Sequence, residues 1–259
     1  MTVNVLFEEV FRGRGWAIVD ADHPDILHGL NKQILDTVRD ISGGKNTAGE
    51  MDSLRLSMHS IPEDEINAIK LQPYIGASEL LAQAFLSAVR NLSGKEIFLQ
   101  RRAHMTLNLP AQPGGRKSDR YLPSLAHFDS MSGISPYTLS LWMPLHDLDD
   151  DTGVWIIDQE ASMEILNAER KEGRVLGGDV LAMTAPGMEK RVFARMKHGQ
   201  AVVFNPFCLH GSIPNETERA RICFNTRFQS RALPLHLRTS DYFTRFDVLE
   251  TVETAGGTS

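Results

Sequence analysis

The chain has 259 residues, 42% of them hydrophobic and 23% charged, which is the composition of an ordinary globular protein and excludes a disordered or fibrous one. With 27 Lys and Arg against 33 Asp and Glu, the net charge of −6 supplies no positive field to collect nucleic acid or anionic lipid. No basic and then apolar leader opens Met1–Glu9 and no apolar run of about 18 residues occurs, so neither export nor membrane spanning is expected.

From the N-terminus, an amphipathic start leads to an apolar run at Gly15–Val19. Leu27, Leu30, Ile34, Val38 and Ile41 then repeat at helical spacing, with Asp22 or Asp25 available as the cap. Gly43-Gly44 ends that helix. Ile61-Pro62-Glu63-Asp64-Glu65 opens another, with Pro and acids in its first turn, and Ser78–Val89 is expected as a third. Residues 1–95 therefore read as a mostly helical cover.

At Ile97 the period changes to two. Leu99, Ala103, Met105, Leu107 and Leu109 share one face, and Gln100, Arg102, His104, Thr106 and Asn108 the other, which predicts one long strand. Strand-like runs follow at Tyr121–Phe128, Tyr137–Leu145, Val154–Ile157, Asp179–Met183, Arg191–Ala194, Ala201–Asn205, Leu209–Ile213 and Ala220–Phe228, interrupted by one helical pattern over Gln159–Lys171. The fold class expected is α+β, mainly β: a double-sheet jelly roll with N-terminal helices covering one sheet. One domain over 1–259 is expected, with the jelly-roll core at 96–230 and a C-terminal extension at 231–259. Gly115–Arg120 reads as a mobile loop and Thr251–Ser259 as a fraying end. Cys208 and Cys223 fit no paired-ligand spacing and read as reduced thiols of a cytoplasmic protein.

His127-Phe128-Asp129 puts an imidazole and a carboxylate on one face of a strand, where both can reach one metal ion. The spacing alone is weak, because His23-Pro24-Asp25 repeats it at a helix start, where Asp and Pro have a capping explanation. His210 can supply a third ligand. Two histidines and one carboxylate form the facial triad that suits Fe(II) and leaves positions open for a chelating co-substrate and O2. Eleven residues on, Arg221 can face inward from a neighbouring strand beside His210 and Ser212 and clamp a carboxylate. On spacing alone, a satisfied core histidine at position 210 remains an open alternative.

The set His127-Phe128-Asp129, His210-Gly211-Ser212 and Arg221 resembles the Fe(II)- and 2-oxoglutarate-dependent oxygenases, specifically the phytanoyl-CoA hydroxylase-like branch that includes ectoine hydroxylase. Phe11–Asp20 is similar to that branch's opening strand, and Leu141–Asp147 with Asp151-Thr152-Gly153 to its Trp-hydrophobic-Pro-Leu segment. The resemblance implies a jelly roll, iron on His127, Asp129 and His210, and the distal carboxylate of 2-oxoglutarate on Arg221 with Ser212. It also implies oxidative decarboxylation to succinate coupled to oxygenation of a C–H bond; Asp129 disfavours the halogenating variant, which lacks this carboxylate. After Gly153 the family's Pro-Gly-Ser-His turn is replaced by Val154–Gln159, so the substrate contacts of other members do not transfer.

Polar stripes extend the candidate site: His104, Thr106 and Asn108; Thr138, Ser140 and Trp142; and Asn225 and Arg227 in register with Arg221. Each lines the cavity or, on an uncovered sheet, faces solvent. Thr138 joins Arg221 and Ser212 as a co-substrate candidate. His104, Asn108, Trp155 and Arg227 are the substrate candidates, with entry between the His104–Asn108 stripe, the Gly114–Arg120 loop and Trp155, away from the Arg221 end. The expected partner is a small polar metabolite, a sugar or amino-sugar derivative being the first candidate, with no nucleic acid and no membrane. Two alternatives are a cupin-like metal-dependent sugar isomerase or lyase without 2-oxoglutarate, and a non-catalytic member of the family. Oligomeric state is not readable.

Overall fold

The computed structural model describes residues 5–45, 48–72, 74, 76–110, 126–132, 134–148, 153–174, 180–181, 186–212, 215–236 and 243–248. The expectations for the Gly114–Arg120 loop and the 251–259 end lie outside these residues. Helix α1 (Val5–Phe11) leads into strand β1 (Trp16–Asp20), and helices α2 (Pro24–Ile41), α3 (Met51–Ser57), α4 (Glu63–Leu71), α5 (Ala77–Ala84) and α6 (Leu86–Ser93) follow. Then come β2 (Glu96–Gln100), β3 (His104–Asn108), β4 (Ala126–His127), β5 (Leu139–Pro144), β6 (Val154–Ile156), α7 (Gln159–Lys171), β7 (Val180–Leu181), β8 (Val192–Phe193), β9 (Gln200–Phe204), β10 (His210–Ser212), β11 (Arg221–Ser230) and β12 (Phe243–Asp247). Among the described residues no helix is long and apolar enough to cross a membrane.

The larger sheet runs β1-β9-β5-β11-β2-β12, with β3 also against β11, and the smaller one runs β7-β4-β10-β6-β8. Their strand pairs are antiparallel. Period-two alternation sorts the side chains into three layers. Leu139, Leu141 and Met143 of β5 and Ile222, Phe224 and Phe228 of β11 pack with the stripe Leu27, Leu30, Ile34 and Val38 of α2, so the helices cover the larger sheet. On the opposite face, Trp142, Val202, Phe204 and Cys223 meet Val154 and Ile156 of the smaller sheet, together with Ala194 and Met196 from the segment that follows β8. A third cluster, Phe128, Trp155, Ile157 and Leu209, packs against Ile165 and Leu166 of α7. The site grows out of the middle layer.

Several expected elements come out differently, each for a local reason. The helix expected over 78–89 is two helices broken at Phe85. The Ala84 carbonyl accepts the N–H groups of Asp22 (2.8 Å) and His23 (3.2 Å), and the Asp22 carboxylate accepts the Ser87 N–H at 2.7 Å. Asp22 thus caps the start of α6 rather than α2, whose N-cap, His23, makes no side-chain cap bond. The long strand from Ile97 is divided: Leu99 pairs with Phe228 and His104 with Asn225, so residues 100–103 stand opposite 226–227 as a bulge. Helix α3 and strand β12 were not expected, and β12 gives the C-terminal extension a place beside β2. Gly15, at φ 94°, sits where an added Cβ would come within 2.5 Å of Cys208 Sγ, and this close approach ties the start of β1 to the segment before β10.

Candidate metal and co-substrate site

His127 of β4 and His210 of β10 are direct partners across an antiparallel pair, so their rings emerge on one face, with centroids 4.2 Å apart. Two residues on, Asp129 opens a one-turn 3-10 helix, anchored by the bond from Ser130 N–H to the Pro206 carbonyl (3.0 Å). One ligand atom from each of His127, Asp129 and His210 lies within 4.8 Å of the others, close enough to hold a single metal ion. Nδ1 of His210 faces the Cys208 carbonyl at 3.1 Å; as a donor there, it leaves Nε2 as the free lone pair.

The electrostatics favour the ligand protonation states. Burial pushes the Asp129 carboxyl pKa up, but Arg227, His210 and the hydrogen bonds from Arg227 and Ser140 outweigh it and hold the pKa well below the usual carboxylate range. Arg227 donates Nη2 to Oδ1 at 2.9 Å and Nε to Oδ2 at 3.3 Å, and Ser140 donates its hydroxyl to Oδ2 at 2.6 Å. Burial, reinforced by His127, pushes His210 down to about 3 against the opposing pull of Asp129. Near neutral pH the site therefore presents an ionised carboxylate and a neutral buried imidazole, the donor set a divalent cation requires.

A cavity of about 80 Å3 extends from the two histidines past Trp142, Phe204 and Asn225 to Ser212 and Arg221. Arg221 is 2% exposed, and its guanidinium carbon lies 5.9 Å from the Trp142 ring centroid. A larger open groove, about 500 Å3, lies between the end of α2 and helices α3 and α4, but among the described residues its lining holds no histidine and a single carboxylate, Glu65. The chemistry belongs to the smaller cavity.

His127, Asp129, His210, Ser212 and Arg221 thus come together. Three expected site residues do not fit their assigned places. Trp155 is fully buried in the cluster under α7, because its neighbours Val154 and Ile156 take the inward face of β6; it is a core residue and not part of a pocket mouth. Thr138 gives its hydroxyl to Gln229 at 3.2 Å, on the far side of Ser140 and Asp129 from Arg221, where it cannot join Arg221 on one ligand. Asn108 is the direct strand partner of Arg221, so it belongs to the Arg221 end and not to the opposite, substrate end.

His104 stands at the other end of that stripe, opposite Asn225. Its pKa is lowered by loss of solvent around the ring and by Arg227, while Asp129 opposes the shift. Arg227 points at Asp129. The sequence set Ser140, Thr106 and Asn225 on polar stripes that either line the cavity or face solvent and gave them no roles; Thr106 and Asn225 line the cavity and Ser140 bonds Asp129. His146, inside the Leu141–Asp147 segment that resembles the family, was given no role. Burial raises the thiol pKa of Cys208, and that of Cys223 to about 12, so both are packing residues rather than nucleophiles.

A sequence model of the family described as phytanoyl-CoA dioxygenase (PhyH) matches residues 77–223. No curated protein sequence matches the chain. Among solved structures, the chain is similar to EctD from S. alaskensis in its apoform (14% identity, 91% of this chain and 79% of that one, TM-score 0.56). It is also similar to the epimerase SnoN in complex with Fe3+, alpha ketoglutarate and nogalamycin RO (14%, 92% and 96%, 0.51). A third likeness is to the non-heme alpha ketoglutarate dependent carbocyclase SnoK from nogalamycin biosynthesis (13%, 95% and 96%, 0.51). At these identities the structural likeness speaks for the fold.

Proposed function

Because the chain belongs to the phytanoyl-CoA dioxygenase family and is an Fe(II)- and 2-oxoglutarate-dependent dioxygenase, we propose that it hydroxylates a small polar metabolite, a sugar or amino-sugar derivative being the first candidate. In this reading the two facing sheets form a double-stranded β-helix within one oxygenase domain. His127, Asp129 and His210 would hold the ferrous ion, and Arg221 with Ser212 the distal carboxylate of 2-oxoglutarate. What supports the reading above all is the convergence of the three ligand atoms within 4.8 Å at one end of the cavity whose other end is Arg221.

Iron with 2-oxoglutarate and O2 would supply the oxidising power at this site, the co-substrate being converted to succinate and CO2. The chain's own residues bind and orient. Asp129, held ionised and fixed by Ser140 and Arg227, offers a carboxylate oxygen without rearrangement. Trp142, Val154 and Phe204 wall the cavity and keep bulk water from the reacting centre. With 2-oxoglutarate filling the space toward Arg221, the substrate approaches from the His104 and Arg227 end.

Anaerobic titration of the apo-protein with Fe(II) and then 2-oxoglutarate, followed by a substrate screen for succinate release, tests this reading. The visible charge-transfer band of an iron and 2-oxoglutarate chelate is expected, and Arg221→Ala should raise the co-substrate requirement tenfold or more, as loss of a charge-assisted pair does. Iron binding with no response to 2-oxoglutarate would favour a metal-dependent sugar isomerase or lyase instead.

A further inference from the structure

Arg221 is the first residue of β11, and a strand end by itself holds a long side chain loosely. Here the backbone on both sides of it is tied down from outside the sheet ladder. On one side, Ala220 N–H donates to the Arg55 carbonyl and Arg55 Nε donates to the Ala220 carbonyl, each at 2.9 Å. Arg55 is itself steadied by Asp52, one turn earlier on α3, at 2.9 Å. On the other side, Ile222 N–H donates to Nε2 of His146 at 3.3 Å, while Nδ1 of His146 lies 2.8 Å from the Asp147 carbonyl. Leu145 N–H donates to the Ile222 carbonyl at 3.0 Å.

The tautomer follows from these partners: Nδ1 carries the hydrogen and Nε2 the lone pair, so His146 must be neutral to accept from Ile222. Burial, with Arg55 and Arg221 in support, lowers its pKa to about 4, whereas the Asp147 carbonyl and Asp52 oppose the shift. The ring therefore remains an acceptor throughout the neutral range. It is 5% exposed and lines neither the cavity nor the metal-ligand cluster, so binding chemistry does not explain it.

We propose that His146 and Arg55 are positioning residues for Arg221: they fix residues 222 and 220, aiming the guanidinium down the cavity toward the metal ligands. The inference rests on the reading that Arg221 receives 2-oxoglutarate. Its chemical logic is preorganisation, since a buried guanidinium held in place binds a carboxylate without losing further conformational freedom.

Two substitutions separate the hydrogen bonds of His146. Asn can keep the donor to the Asp147 carbonyl but is too short to accept from Ile222, whereas Gln places an amide oxygen near the position of Nε2. The protein is loaded anaerobically with Fe(II), and 2-oxoglutarate affinity is read from the charge-transfer band. Mn(II) affinity and thermal midpoint are measured on the same preparations. H146N should weaken 2-oxoglutarate binding about tenfold, the size of one lost hydrogen bond, with Mn(II) affinity unchanged, and H146Q should recover most of the loss. R55A should act in the same direction, also sparing Mn(II). If H146N binds 2-oxoglutarate like wild type, or if H146N and H146Q lose affinity equally and in step with their thermal midpoints, the positioning role is wrong. A wild-type protein that takes iron but shows no 2-oxoglutarate band would instead sink the functional reading on which the inference rests.

Discussion

Ser140 donates its hydroxyl to Oδ2 of Asp129 at 2.6 Å, and the two are buried to 2% exposure each. The bond joins the larger sheet to the turn that carries the carboxylate, so it orients one candidate metal ligand from the opposite wall of the site. Removing such a partner of a ligating group typically weakens metal binding by about 10- to 100-fold. Ser140→Ala should therefore bind Mn(II) more weakly by that factor in calorimetric titration, with a circular dichroism spectrum like that of wild type. Equal affinity in the two proteins would mean that Arg227 alone fixes the carboxylate.

His146 gives the apo-protein a predictable acid sensitivity. Its pKa in the folded state, about 4, lies below the ordinary imidazole value of 6.5. The unfolded chain thus binds a proton between these values that the folded chain refuses. The stability contribution is complete above pH 6.5 and is lost as pH falls toward 4, up to about 3 kcal/mol in all. Urea denaturation of wild type and His146→Gln across this range should show a shallower fall in the variant, by up to about 1.4 kcal/mol per pH unit. Parallel stability curves would show that the ring is protonated in the folded protein.

The alternation of Arg221, Cys223, Asn225 and Arg227 against Ile222, Phe224 and Phe228 made the inward face of β11 legible, because the opposite face is apolar at those three positions, with Thr226 between them bonded to Ser78 under the helices. The same rule could not orient Trp155: Val154, Trp155, Ile156 and Ile157 are all apolar, and only the packing of α7 decides which of them point outward. Asn108 was placed on the correct face but at the wrong end of the site, since its neighbour depends on the register between β3 and β11, a long-range property. The break at Phe85 and the bulge at 100–103 were invisible for a related reason. Each depends on partners distant in the chain, Asp22 for the first and the pairing of β11 for the second.

Trp155 gives a prediction that opposes its expected role at the pocket. Among the described residues its buried Nε1 has no hydrogen-bond partner, so Phe loses no hydrogen bond to them and leaves only a modest void. Trp155→Phe should keep 2-oxoglutarate affinity and succinate formation near wild type. Trp155→Ala, by emptying a site between β6 and α7, should cost about 3–5 kcal/mol of stability. Urea denaturation together with turnover measures both; a loss of turnover in the stable Phe variant would return Trp155 to the substrate pocket.

Asn108 and His104 occupy opposite ends of one inward stripe, and their substitutions should separate co-substrate from substrate. Asn108 is 6% exposed and sits across from Arg221, whereas His104 sits across from Asn225, with Arg227 and Asp129 among the charges that set its pKa. On β3, four residues at about 3.3 Å each put the two Cα atoms roughly 13 Å apart, too far for both to contact the same small group. Asn108→Ala should therefore raise the 2-oxoglutarate requirement several-fold, read from the charge-transfer band without any substrate present. His104→Ala should leave that band's titration unchanged and, once the screen has supplied a substrate, lower the yield of product per succinate formed. If instead Asn108→Ala uncouples succinate from product while its 2-oxoglutarate affinity stays at the wild-type value, the substrate reaches the Arg221 end, and the order of the two ligands in the cavity is the reverse of the one proposed.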